Sequence, residues 1–233
     1  MHGGGVDQVV IDPVIHERWP EYRVLVLIAG PIDWARIAAS AIDAPAPLDL
    51  AEAELRARGV EDWTTDPHIA AWMAAFTAFG AKPKRTSPSA LALLKRLEAG
   101  LPRIDPVTDL YNSISIRHAM PIGGEDLDRY VGAPRLTVAT GEEPFDTMES
   151  GEPVTEHPLA GEVIWRDDLG VTCRRWNWRQ CVRTRITPET ATVLFLLEGM
   201  GRDASALVEA AGAELTTGLL ALDPAITVAS RRY

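Results

Sequence analysis

Cysteine is nearly absent from this chain: Cys173 and Cys181 are the only two among 233 residues. That excludes a disulfide framework, and neither cysteine has a second Cys/His pair at zinc spacing. A lone cysteine of this kind most often packs as a small core residue. The histidines His2, His16, His68, His118 and His157 are scattered and share no metal-ligand spacing, so the reading calls for no metal. No glycine-rich phosphate loop of the P-loop or dinucleotide type is present, and no Gly-x-Ser-x-Gly elbow. The chain is therefore expected to need no cofactor and to lack a nucleophilic serine machine. Apolar runs such as Val24 to Ile28 are far too short to span a bilayer. The segment Met1-His2-Gly3-Gly4-Gly5 has neither a basic stretch nor an apolar core after it. The expectation is a cytoplasmic protein with no membrane partner.

Positive charge is also short. The net charge is −10, whereas autonomous nucleic-acid binders are usually basic. The cations are gathered, however: Lys82, Lys84 and Arg85 lie in one stretch, and Arg174, Arg175, Arg179, Arg183 and Arg185 in another that holds no acid. Such a local basic face binds phosphate in a strongly salt-dependent way; the plainer alternative is two solvated segments.

With 46% hydrophobic and 24% charged residues, the chain can bury a substantial core. Tyr22 to Ile28 reads as a first strand. Leu48 to Arg56 reads as a helix stopped by Gly59. His68 to Phe79 reads as a second, capped by Asp66 and stopped by Gly80. A third starts at Ser87 or Ser89, carries Leu91, Leu94 and Leu97 at helical spacing, and ends at Gly100. From Leu101 onward the texture becomes strand-like, with Arg135 to Ala139, Val163 to Trp165, Val171 to Trp176 and Val193 to Leu197 as strands. Gly141 to Pro158 offers little to pack and reads as an exposed loop. Asp203 to Leu220 returns to helix. Helices segregated from short strands indicate an α+β domain.

Two segments concentrate chemistry. In Leu101 to Asp128, polar residues including Asn112, His118 and Glu125 alternate with Ile104, Val107, Ile114 and Ile116, and Gly123-Gly124 permits close backbone approach. This reads as a pocket wall, or else as a Gly-Gly turn capped by acids and opening a helix. In Cys173 to Gln180, read as a strand, Arg175, Asn177 and Arg179 share one face and Trp176 and Trp178 the other. Indoles stack on unpaired bases and guanidinium groups hold phosphates, which suits an RNA 3′ end. The alternative is a pair of core tryptophans, and at least one is expected to be core.

Taken as a set, Phe79 to Ala90, Leu101 to Ile104, Asp109 to Asn112, Pro121 to Leu127 and Cys173 to Gln180 resemble the B3/B4 domain family. That domain forms part of the phenylalanyl-tRNA synthetase β subunit and also occurs as freestanding proteins, which this chain resembles. The likeness covers roughly Trp63 to Gly201. It implies an α+β fold, layered, with a β-sandwich of unusual topology and packed helices. Residues 63–201 would form the core, 1–62 an N-terminal strand and helical extension, and 202–233 a C-terminal helix and tail.

The synthetase domain hydrolyses tyrosine wrongly attached to the phenylalanine tRNA. The resemblance thus implies a tRNA partner, held by its aminoacylated 3′ end, and ester hydrolysis by a positioned water without metal. Asp109, Asn112, Pro121 and Asp126 match the family pattern. Gly123 stands where the family has a pocket histidine, and Trp176 to Arg179 replaces a glycine-rich segment. The family glutamate that recognises the tyrosine hydroxyl falls near Leu196 to Glu198. These departures detach the chain from tyrosine specificity. On this reading Asn112, Gly123, Gly124 and Asn177 form the catalytic set of donors. His118, Glu125, Arg175, Trp176 and Glu198 bind the substrate. Lys82, Lys84, Arg85, Arg174 and Arg179 bind tRNA. A non-catalytic RNA-binding module and a small-molecule amino-acid ester or amide hydrolase are the alternatives.

Overall fold

The computed structural model describes residues 5–40 and 46–233. Its central feature is a strand buried on both faces. Strands covered on both sides read as continuous apolar runs, and Val193–Gly199 does so, with all seven residues buried. The alternation sends Val193, Phe195 and Leu197 one way and Leu194, Leu196 and Glu198 the other.

In chain order the elements are β1 (Val10–Ile11), α1 (Pro13–Arg18), β2 (Arg23–Gly30), α2 (Trp34–Ser40), α3 (Pro47–Ala57), α4 (Pro67–Ala78), α5 (Ser89–Leu94), α6 (Pro106–Arg117), β3 (Ile122–Asp126), β4 (Arg135–Val138), β5 (Phe145–Glu149), β6 (Glu152–Glu156), β7 (Val163–Arg166), β8 (Val171–Arg174), β9 (Arg179–Gln180), β10 (Val193–Gly199), α7 (Ala204–Leu222) and β11 (Thr227–Arg232). An antiparallel sheet of order β11-β2-β10-β3 carries α6 and α7 on one face. Its other face packs on a five-stranded sheet of order β1-β4-β7-β8-β9, where Leu136, Val163 and Trp165 meet Val24, Val26, Leu194 and Leu196. The result is an α+β sandwich with a helical flank. A further apolar cluster joins α3 and α5 to parts of α4 and α6.

By length and composition α7 is apolar enough to cross a membrane. It instead lays Val208, Ala211, Leu215 and Leu219 on the sheet, and Gly212 admits Leu25, whose Cδ2 lies 2.2 Å from where a Cβ would stand.

Three expectations need correction. The polar stretch after Leu101 contains a helix, α6. Asp105 caps it through Thr108 N–H at 2.8 Å, and Pro106 occupies its first turn. Gly123-Gly124 lies in β3, not in a turn opening a helix. Gly141 to Pro158 folds partly into the β5–β6 hairpin, anchored by the fully buried Phe145.

Candidate functional site

A cavity of about 260 Å³ opens between the two sheets where Gly123 has no side chain. A Cβ placed on Gly123 would meet no atom within 4 Å, so the missing side chain is itself the hollow. Gly124 faces the opposite way: its Cβ would stand 2.8 Å from the Tyr111 ring and 3.0 Å from Ile186 Cδ1. The second glycine is therefore required by packing against α6. Gly123, Leu196, Ile122, Trp165 and Cys173 contribute to the walls, with α5 and α6 closing one side.

Asn177 reaches this cavity by a route that the strand reading missed. The strand β8 stops at Arg174, and Arg175 and Trp176 both take left-handed backbone angles, φ of 47° and 66°. The 175–178 segment is thus a turn between β8 and β9, which breaks the expected two-residue alternation. It turns Trp176 fully into the core among Trp19, Tyr22 and Trp72, so Trp176 offers no open ring to a base. Its Nε1 makes no hydrogen bond, although its dipole favours the neighbouring Glu198 carboxylate. The other indole, Trp178, stays half-buried on the cavity wall with Arg175 stacked at 4.4 Å.

Two buried carboxylates face the cavity from the four-stranded sheet. Glu198 Oε1 accepts from Tyr22 Oη at 2.8 Å and Trp165 Nε1 at 3.0 Å; Oε2 accepts only from Asn177 Nδ2 at 3.2 Å. Burial pushes Glu198 up to about 7, against the pull of these donors. Asn177 is itself oriented by Ser89 N–H, which donates to Oδ1 at 3.4 Å. Glu125 Oε2 accepts from Tyr130 Oη at 2.7 Å and Thr184 Oγ1 at 2.6 Å, and burial raises Glu125 as well. The Gln180 amide and, at longer range, Arg183 also favour its charged form.

Donors border the same space. Gly124 O accepts from Gln180 Nε2, and Asp126 N–H donates to Thr184 O, both pointing away from β10. In an antiparallel ladder the N–H and C=O of one residue point the same way, so the Gly124 N–H is directed to that outer edge. Asn112, on α6, lines the cavity with a side-chain amide that makes no hydrogen bond among the described residues.

The structure thus brings Asn112, Gly123, Gly124, Glu125, Trp176, Asn177, Arg179 and Glu198 around one cavity. His118 lies elsewhere: its Nε2 is 2.9 Å from Glu214 Oε2, and Arg117 pairs with the same carboxylate. Being the C-cap of α6 turns it toward α7. Arg175 also leaves the cavity, because the left-handed turn swings it over Trp178 into a neighbouring hollow of about 220 Å³ with Lys82 and Arg85. Arg174 is not a free cation. It is buried, bound at 3.0 Å by both oxygens of Glu162 and at 2.7 Å by Glu156. Arg179 is half-committed, to Glu156 at 3.3 Å. Lys82, Lys84 and Arg85 are exposed and carry no ion pair among the described residues.

Sequence reading missed Arg96, exposed at the cavity mouth one turn past α5, and Cys173, part of its wall. Arg96 stands outside both segments singled out in the sequence, and Cys173 opens one of them but was read as a small core residue. Burial pushes the Cys173 thiol well above its usual range.

A model of the B3/4 domain family matches residues 71–207. Among solved structures, an N-terminal fragment of the phenylalanyl-tRNA synthetase β-subunit from Pyrococcus horikoshii aligns with a TM-score of 0.46 at 11% identity. The alignment covers 97% of this chain and 53% of that one, so the chain spans about half the fragment's length. No curated protein matches the chain.

Proposed function

The chain belongs to the B3/4 domain family, and from that premise we propose that it binds the aminoacylated 3′ end of tRNA and hydrolyses the ester of a wrongly attached amino acid in trans. The observation that carries this reading is the cavity at Gly123: it has the size of an amino acid, mostly apolar walls and two buried carboxylates. A free α-ammonium group supplies the counter-charge that such a carboxylate lacks. The Gly124 N–H and the Asn112 amide are the donors for an oxyanion developing on the ester carbonyl. Water adds to that carbonyl, the ribose oxygen leaves with a proton, and free amino acid and uncharged tRNA separate. Asn177 acts here as a positioning residue, holding Glu198.

Lys82, Lys84 and Arg85 are the phosphate contacts on this reading; Arg175, beside Lys82 and Arg85, is shared with Glu162 at 3.5 Å, and Arg96 and Arg179 flank the mouth. Arg174 drops out because its charge is spent internally. Both steps belong in the cytoplasm, where tRNA is charged. A second reading, capture without hydrolysis, is favoured by one observation: Gly123 offers no side chain where the resembling family has a pocket histidine.

The test is deacylation of a panel of mischarged tRNAs by the purified chain. The reading expects at least one to lose its amino acid faster than in buffer. No acceleration with any of them, alongside specific tRNA binding, leaves the capture reading.

A further inference from the structure

We propose, resting on that reading, that the aminoacyl group taken by the cavity carries a second cation on its side chain, of the lysine and ornithine class. The geometry comes from the β3–β10 register. Glu125 stands opposite Leu194, Gly123 opposite Leu196, and Glu198 N–H bonds Pro121 O, so the two carboxylates share one face with the Gly123–Leu196 pair between them. The four-residue offset is roughly 13 Å along the strands. An extended aminoacyl group with a terminal ammonium spans a distance of that order with a hydrogen bond at each end.

Charge then decides between side-chain types. Each carboxylate has one oxygen held by two donors at 3.0 Å or less, while the rest of it is less engaged: Glu198 Oε2 takes the longer Asn177 bond, and Glu125 has besides its two hydroxyl donors the Gln180 amide. The two cations on the lining, Arg96 and Arg179, are exposed or half-exposed at the mouth, and Arg179 is shared with Glu156; Arg183, which attracts Glu125 from outside the lining, is bound by Asp167 at 2.8 Å. An α-ammonium compensates one carboxylate. An aliphatic side chain would leave the other carboxyl facing hydrocarbon with its less engaged oxygen unpaired, which sites built around polar groups reject strongly. A hydroxyl supplies a hydrogen bond but no charge, so it answers the deficit in part. The middle of the cavity, at Gly123, Leu196 and Cys173, suits the methylene stem.

The experiment compares tRNA carrying lysine with the same tRNA carrying norleucine, which lacks only the terminal ammonium, and tyrosine. Binding is read with non-hydrolysable amide-linked charges and turnover with the natural esters. The lysyl form should bind and turn over at least on the order of 10²-fold better than the norleucyl form. Either Glu125→Gln or Glu198→Gln should shrink that ratio to a few-fold, while the other lowers both substrates alike. Norleucyl or tyrosyl groups handled as well as lysyl overturn the proposal but leave the hydrolase reading standing. A ratio unchanged in both carboxamide variants also overturns it. Failure of every aminoacyl group to be bound or released would instead strike the parent reading.

Discussion

Substituting the two adjacent glycines of β3 should have opposite consequences. Leucine at Gly123 projects into the open cavity, where a Cβ meets nothing within 4 Å and where about 260 Å³ is free. Replacing glycine inside a strand removes an entropic cost of about 0.5–1 kcal/mol, and the new side chain gains apolar contact with Leu196 and Trp165. Gly123→Leu is therefore expected to be as stable as the parent or more so. At Gly124 even one methyl lands 2.8 Å from the Tyr111 ring, below any real contact, with Ile186 at 3.0 Å. Overpacking of this kind costs about 1–3 kcal/mol. For a chain of this length that lowers Tm by roughly 2–12 °C for Gly124→Ala. Thermal melts measure both, and alkylation of Cys173 reports cavity access independently. The buried thiol should react slowly at neutral pH and faster in alkali in the parent, and be shielded in Gly123→Leu. A Gly123→Leu protein that melts well below the parent, or leaves Cys173 equally reactive, refutes the placement of the cavity.

Other expectations follow from the buried charges. Burial holds Glu198 near 7 rather than 4.5. A raised carboxylate contributes stability that is whole below its unfolded value and is lost as pH rises through the folded one. Linkage puts that loss at about 3 kcal/mol between roughly pH 4.5 and 8. Glu198→Gln should hence gain on the parent as pH climbs from 5 to 8; a pH-independent difference in urea midpoints would contradict this. Arg174→Met leaves the buried Glu162 with the longer Arg175 ion pair at 3.5 Å and should cost about 3 kcal/mol, read as a lower urea midpoint, whereas Lys82→Ala and Arg85→Ala should change it by less than about 0.5 kcal/mol. His118→Gln, far from the cavity and paired only with Glu214, should shift stability by under about 1 kcal/mol and leave tRNA deacylation unchanged.

Much of this was legible in the sequence because local rules and fold agreed. Asp66 caps α4 through His68 and Ile69 N–H as its position suggests, and Gly80 ends that helix at φ 87°. The α7 helix and the strands β2, β4, β7 and β10 lie where periodicity and composition put them, to within a few residues, while α5 starts as expected but ends at Leu94, short of Gly100. The helix α6 was obscured because Asp109, Asn112, Ser113 and Ser115 break the apolar pattern, although Asp105-Pro106 with Val107, Leu110 and Ile114 marks it. The β5–β6 hairpin rests on Phe145 and Thr147, too little to register. In the site, the family pattern directed attention to Asn112, Gly123, Glu125 and Asn177, which share the cavity. Two left-handed residues at 175 and 176 undid the alternation argument for Trp176 and Arg175, and no residue type there announces them. Arg174 and His118 were lost to Glu162 and Glu214, partners that only the fold identifies.

The most direct test of the cavity as an aminoacyl site is the affinity for charged and uncharged forms of one tRNA, the charge being amide-linked. With its preferred amino acid, the parent should bind the charged form more tightly. Gly123→Leu should bind both forms equally, at the parent's affinity for the uncharged one. A parent that never distinguishes charged from uncharged tRNA, whatever the amino acid, would contradict the account.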